Sequence, residues 1–204
     1  MTLSRPLETL LSPEKAQILS VLDRTGQPLT GRTIAALTGT VSQATVSRQL
    51  LQLCELGLVL KVPGGYELNR DHLSYPALAA LFDIPDELQR RIAADVARWN
   101  SPPLSVVLFG SVARRDHSRG SDIDLLVVRP ESVPFDDLRW AAEVATLSER
   151  VTRWCGSPCE VLEYTPGELA DLERGHDPLI ETLRRDGIPL TGASLSTVLE
   201  TIPG

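Results

Sequence analysis

Residues 108–128 read LFGSVARRDHSRGSDIDLLVV, and the order of glycine, hydroxyl and paired acids in them governs what the rest of the chain must be. Leu104 to Phe109 is a short apolar run of strand character, bounded by Pro103 and Gly110. Gly110-Ser111 follows, and then a helix predicted from Val112 to about Asp116. A strand that turns through Gly-Ser into a helix N-terminus makes an anion site. Backbone N–H groups and the positive dipole end face the anion, and glycine lets a phosphate come close. Ser111 adds a hydroxyl donor.

The stretch continues as Ser121-Asp122-Ile123-Asp124-Leu125-Leu126-Val127-Val128, a predicted strand that opens with two carboxylates two residues apart. Residues i and i+2 of a strand share a face, so Asp122 and Asp124 are expected side by side. Adjacent carboxylates raise one another's pKa unless a cation sits between them, and hard divalent cations suit oxygen ligands. Metal-assisted phosphoryl or nucleotidyl transfer needs two acids beside a phosphate cradle. The cation there neutralises a triphosphate, activates the attacking oxygen and stabilises the leaving pyrophosphate. A third carboxylate is expected on the neighbouring strand, read at Pro158 to Tyr164 after a long helix from about Phe135 to Cys155. Glu160 is preferred because it lies near the strand start. Glu163 has the opposite parity and reads as a solvated residue at the strand's end.

Working outward, 204 residues allow one large domain or two small ones. Apolar residues are 42% and charged residues 23%, which excludes a disordered, collagen-like or disulfide-stapled mini-protein class. No apolar run is long enough to cross a bilayer, and the start MTLSRPLETLLSPEKAQ has no apolar stretch after a basic residue, so no secretory signal is expected. Cys54, Cys155 and Cys159 are odd in number and lack metal-ligand spacing. They read as free thiols of a reducing cytoplasm. His72, His117 and His176 lie far apart and read as surface or loop residues. Charge is uneven. Up to Pro76 there are seven basic and six acidic residues, a net of +1; beyond it thirteen basic face twenty-one acidic, a net of −8. The front can approach a polyanion, whereas the acidic back needs a cation or a basic partner.

The front reads as short helices and a hairpin. Ser12-Pro13-Glu14 is a helix start, with Ser12 as N-cap, and Ala16, Ile18, Leu19 and Leu22 form its apolar face up to Gly26. Thr30 caps a second helix carrying Ile34, Ala35 and Leu37, stopped by Gly39. Ser42 caps a third, Gln43 to Glu55, burying Val46, Leu50 and Leu53, with Gly57 closing it. Leu58 to Val62 and Tyr66 to Leu68 are strand-like around the turn Pro63-Gly64-Gly65. Between the two halves, Pro85-Asp86-Glu87 starts a connecting helix with Leu88, Ile92, Val96 and Trp99 on one face. Arg90, Arg91 and Arg98 lie on the other, and the helix is a candidate dimer contact.

Two resemblances follow from these stretches. The segment LTGTVSQATVSRQLLQLCELGLVLKVPGGYEL resembles the recognition helix and wing of MarR- and ArsR-like winged helix-turn-helix regulators, whose third helix enters the DNA major groove. The resemblance implies that Ser42, Gln43, Thr45 and Arg48 face double-stranded DNA, with Lys61 near the wing. Gln suits adenine, Arg suits guanine or phosphate, and Ser and Thr suit phosphate oxygens. A winged helix used only for protein contacts is the alternative.

LFGSVARRDHSRGSDIDLLVV, in turn, resembles the signature of the DNA polymerase beta superfamily of nucleotidyltransferases. It is closest in pattern to the minimal nucleotidyltransferases: Gly-Ser, ten residues, Asp-x-Asp. The tail PLIETLRRDGIPLTG is similar to their closing helix and strand. The family often has Ala-Arg-Gly where this chain has Ala113-Arg114-Arg115. The resemblance implies Gly110 and Ser111 as nucleotide-phosphate ligands, and Asp122, Asp124 and Glu160 as ligands of two Mg²⁺ ions. Asp124 or Glu160 would help deprotonate the acceptor hydroxyl. Arg114 is open to two readings, a triphosphate contact or a surface partner of Asp116.

The expected fold class is therefore α+β in two domains. A winged helix-turn-helix domain is placed at 1–75, a connecting helix or linker at 76–103, and a Pol beta-like nucleotidyltransferase at 104–204 with a small mixed sheet flanked by helices. The expected activity is Mg²⁺-dependent transfer of a nucleoside monophosphate, AMP from ATP foremost, to a protein or RNA hydroxyl. A DNA-binding homodimer of this kind resembles a self-regulating toxin–antitoxin component with a toxin as acceptor. Two rivals are a regulator that senses nucleotide without turning it over and an enzyme that modifies a small molecule.

Overall fold

The computed structural model describes residues 6–114 and 122–200. The chain divides into two units, Arg5–Ile84 and Pro85–Gly204. No described helix is long and apolar enough to cross a membrane.

The first unit opens with a 3-10 turn, Pro6–Thr9, and then α1 (Pro13–Thr25), α2 (Gly31–Thr38) and α3 (Gln43–Glu55). A hairpin of β1 (Val59–Val62) and β2 (Gly65–Leu68) follows, antiparallel, pairing Val59 with Leu68 and Val62 with Gly65. The capping hydroxyls behave as spacing predicts at two of three helices. Thr30 accepts from the Thr33 N–H and Ser42 from the Thr45 N–H, each at 3.2 Å. Ser12 makes no capping bond; its hydroxyl instead serves the Glu14 carboxylate, whose pKa is lowered mainly by backbone hydrogen bonding and next by Ser12. Ile18, Leu19, Ile34, Val46, Leu50 and Leu53 form a closed core, so each helix buries the stripe its apolar period dictates. Gly65 is fixed by close approach: a Cβ there would sit 2.2 Å from the Leu29 carbonyl, because Leu29 bridges Tyr66.

The connecting stretch is two helices. α4 (Tyr75–Phe82), which the periodicity did not single out, packs Tyr75, Leu78, Leu81 and Phe82 on the first core. α5 (Ile84–Val96) belongs almost wholly to the second unit and buries Leu88, Ile92 and Val96. Arg90 and Arg91 on its outer face both pair with Glu87, and Arg91 also stacks over Trp154 at 5.9 Å.

The second unit is built on a four-stranded mixed sheet ordered β5-β4-β3-β6: β3 (Ser105–Phe109), β4 (Ile123–Val128), β5 (Cys159–Tyr164) and β6 (Ile188–Gly192). β4 and β5 are parallel; β3 is antiparallel to both β4 and β6. A parallel pair requires a crossover, and α7 (Leu138–Cys155) supplies it. α7 starts at Leu138 rather than at about Phe135, because Asp137 accepts from the Arg139 and Trp140 N–H groups and caps the helix start there. Its Trp140, Val144, Leu147 and Val151 are buried, and Trp140 meets Trp99 edge to face at 5.3 Å. Arg150 of α7 neutralises Asp95 of α5, whose carboxylate is nearly covered. The other core layer, Val107, Phe109, Leu126 and Val128, packs with Leu169 of α8 (Pro166–Arg174), Ile180 and Leu183 of α9 (Pro178–Asp186), and Leu195 and Val198 of α10 (Leu195–Glu200). Between β3 and β4 lies α6 (Gly110–Ala113), one turn that begins on the glycine rather than at Val112. Arg115, Asp116, His117 and Ser121 fall outside the described residues.

Candidate active site

Strand register places the acids. Phe109 at the end of β3 pairs with Asp124 on β4, and Asp124 pairs with Glu160 on β5. Paired residues on neighbouring strands point to the same face. Asp124 and Glu160 thus share a face with Leu126 and Val128, at the end of the sheet where the chain leaves β3 for α6. Asp122 lies two residues before Asp124, just outside β4, and is half-buried. Ile123 between them is fully buried and its N–H is held by the Pro158 carbonyl at 2.8 Å. Asp124 is half-buried and Glu160 exposed.

Gly110 makes the tight part of this arrangement. Its φ of +71° suits glycine, and a Cβ would lie 2.0 Å from Asp124 Oδ2. The carboxylate fills the space that any other side chain would take. Ser111 is half-buried on α6. Because α6 is a single turn, its dipole is short, and the cradle rests on Gly110 and the neighbouring backbone more than on a helix end.

The electrostatics follow from this crowding. Burial, then Glu160, then Asp122 push the Asp124 pKa up, while Arg114 pulls it partly back. Three carboxylates are therefore close enough to feel each other, with one guanidinium beside them. Arg114 Nη1 donates to Asp186 Oδ2 at 3.2 Å, so among described residues its carboxylate partner stands at the end of α9. Arg185 binds the same carboxylate through Nε and Nη2, both at 2.9 Å. The Asp186 pKa falls to about 2, chiefly through the Arg185 hydrogen bond. Sequence spacing gave Asp186 and Arg185 no role; the run Arg184-Arg185-Asp186-Gly187 at a helix end was the available signal.

Among described residues, no three His, Cys, Asp or Glu side chains are grouped so that they could hold a metal ion. The donor chemistry nonetheless fits a hard cation, since the acids offer only oxygen and the ionised form of Asp124 is disfavoured without one. Glu163, of opposite parity, is not merely solvated: it accepts a hydrogen bond from Trp140 Nε1 at 2.5 Å, on the α7 side of the sheet. Cys155 and Cys159 are buried free thiols, pushed by burial to about 11 and about 12, so both stay neutral. Cys54 is free and half-buried. His72 lies in a loop, its Nδ1 accepting from the Ser74 N–H, and His176 is exposed.

In the first unit Ser42, Gln43 and Arg48 are exposed along the N-terminal half of α3, Thr45 is half-buried, and Lys61 is exposed on β1. The Ser42 hydroxyl donates to Thr45 Oγ1 at 3.0 Å while accepting the Thr45 N–H, so both hydroxyls are engaged in the cap.

Residues 90–170 match the family model described as "Nucleotidyltransferase domain", a span that includes Gly110, Ser111, Asp122, Asp124 and Glu160. No curated protein matches the chain. A solved structure titled "Crystal structure of the toxin-antitoxin with AMP-PNP" is similar over 55% of this chain and 81% of that one, at 17% identity and a TM-score of 0.39.

Proposed function

We propose, on the match of residues 90–170 to a nucleotidyltransferase domain model, that the chain transfers a nucleoside monophosphate, AMP from ATP foremost, to a hydroxyl of a protein or RNA acceptor. One observation carries the reading. Asp124 and Glu160 are direct partners on adjacent parallel strands, with Asp122 two residues away, where Gly110 gives up its side-chain volume to the Asp124 carboxylate.

Asp122, Asp124 and Glu160 would hold Mg²⁺, which when bound neutralises the triphosphate and eases loss of the acceptor proton. The chain's own groups do the rest. Gly110 leaves room for a phosphate and Ser111 offers it a hydroxyl. Arg114 faces the negative charge that the leaving pyrophosphate gains. Asp124 or Glu160 takes the acceptor proton as the new oxygen–phosphorus bond forms and the bond to pyrophosphate breaks. No histidine is needed.

The first unit is, in this proposal, a winged helix that reads double-stranded DNA. Gln43 and Arg48 stand on the exposed N-terminal face of α3, Ser42 caps it by binding Thr45, and Lys61 lies on the hairpin. A homodimer reading two half-sites would offset the low net charge. A self-repressing toxin–antitoxin component would use both activities in one chain, with the toxin as acceptor.

The test is to incubate the protein with labelled ATP, GTP, CTP or UTP, Mg²⁺ and cell extract, beside Asp122→Ala. Label on a macromolecule that disappears with Asp122→Ala or with EDTA is the expected result. Nucleotide-dependent DNA binding with no label from any nucleotide would replace the enzyme by a sensor.

A further inference from the structure

Asp186 is the last residue of α9, and its position is set by packing rather than by its own charge. Ile180 and Leu183 of α9 are buried in the core. Gly187 then runs flush against β3: a Cβ on it would meet the Leu183 carbonyl at 2.3 Å and Val107 Cγ1 at 3.0 Å. The Asp186 carboxylate is consequently presented beside α6, where it meets two guanidinium groups. Arg185 engages it through two nitrogens, and Asp186 Oδ2 is shared between Arg185 Nη2 and Arg114 Nη1. The Asp186 side chain is 8% exposed, against 38% for that of Arg114 and 61% for that of Arg185. The anion is covered and the cations are open, so the cluster shows water a net positive charge. Among described residues, Arg114 is also the cation whose charge registers at Asp124.

We infer that Asp186 is a positioning residue that binds Arg114 and Arg185 into a paired-guanidinium subsite for the β- and γ-phosphates of the nucleotide. The inference rests on the nucleotidyltransferase reading and deepens it. Planar guanidinium groups suit phosphate oxygens in a way a mobile ammonium does not, provided their orientation is held. A shared carboxylate supplies that orientation here. It holds Arg114 next to the acids and brings in Arg185, which motif spacing does not single out. The subsite distinguishes triphosphate from monophosphate, because its contacts fall on the part of the substrate that leaves.

The experiment measures equilibrium binding of ATP, ADP and AMP to the full-length protein in Mg²⁺ buffer without acceptor. Asp186→Asn is expected to weaken ATP binding by about tenfold, the scale of a lost charged hydrogen bond, and to leave AMP binding unchanged. Arg185→Gln, at an exposed position that leaves the core untouched, is expected to do the same and carries the comparison if Asp186→Asn does not fold. Asp186→Asn added to Arg114→Ala should cost less than the sum of the two single changes, since Asp186 acts in part through Arg114 and in part through Arg185. Equal losses for ATP and AMP, or full additivity of the pair, would overturn the subsite while leaving nucleotide binding itself in place. A wild-type protein that binds none of the three nucleotides would remove the nucleotidyltransferase reading and the subsite with it.

Discussion

At the scale of single residues, Asp124 is the group whose charge state is held most awkwardly. It is half-buried, it feels the charges of Glu160 and Asp122, and among described residues Arg114 offsets them. Its folded-state pKa lies above the ordinary 3.8. Between those two values the native state binds more protons than the unfolded chain, so stability falls as pH rises through that window. Asp124→Asn removes the penalty. In EDTA at neutral pH this variant is expected to melt above the wild type, with the gap closing as pH falls towards about 4. Its transfer activity should drop by at least about 100-fold. A melting temperature at or below that of wild type under those conditions would show that the three carboxylates do not strain the empty fold.

Elements decide which acids belong together. β5 alternates its faces, so Glu160 joins Asp124 while Glu163 turns to α7 and accepts the Trp140 indole N–H. Glu160→Gln is expected to abolish transfer with little change in the unfolding midpoint. Glu163→Ala should keep transfer and cost about 1–3 kcal/mol in a urea titration, because it strips a partner from an indole on a buried Trp. The opposite pattern would exchange the two roles. That Glu160 and Glu163 face opposite sides was legible in the sequence because strand parity is a local property; the preference for Glu160 rested on its place near the strand start. The partner of Glu163 was not, since Trp140 lies 23 residues away and meets it only after α7 folds back on β5. The same limit hid α4, whose apolar face makes sense only against the first core, and Asp186, whose neighbour Arg114 is 72 residues off. Caps and turns fared according to their range. Thr30, Ser42 and Asp137 act on their own helices, but Ser12 has a competing partner in Glu14 within the same turn.

For the whole molecule, charge sets what the first unit can achieve. Residues up to Pro76 carry a net of +1 and the remainder −8, so long-range attraction to a polyanion is weak and affinity must come from a few placed cations. Arg32, Arg48 and Lys61 are exposed in the α2-to-hairpin stretch. Each phosphate neutralised contributes about −0.9 to the slope of log affinity against log salt. Three contacts per protomer give a slope of about −3, and two protomers on a palindromic site about −5. Fluorescence anisotropy on duplex DNA across 50–200 mM salt, on the order of the range where this effect is large, measures it directly. Arg48→Ala should weaken binding by about tenfold at fixed salt, and more on one base sequence than on others if it reads guanine. A loss that is uniform across sequences and lowers the slope by about 1 would assign Arg48 to phosphate instead. A slope near zero, or no binding at 50 mM, on the order of the lowest useful salt, would mean that α3 meets a protein rather than DNA.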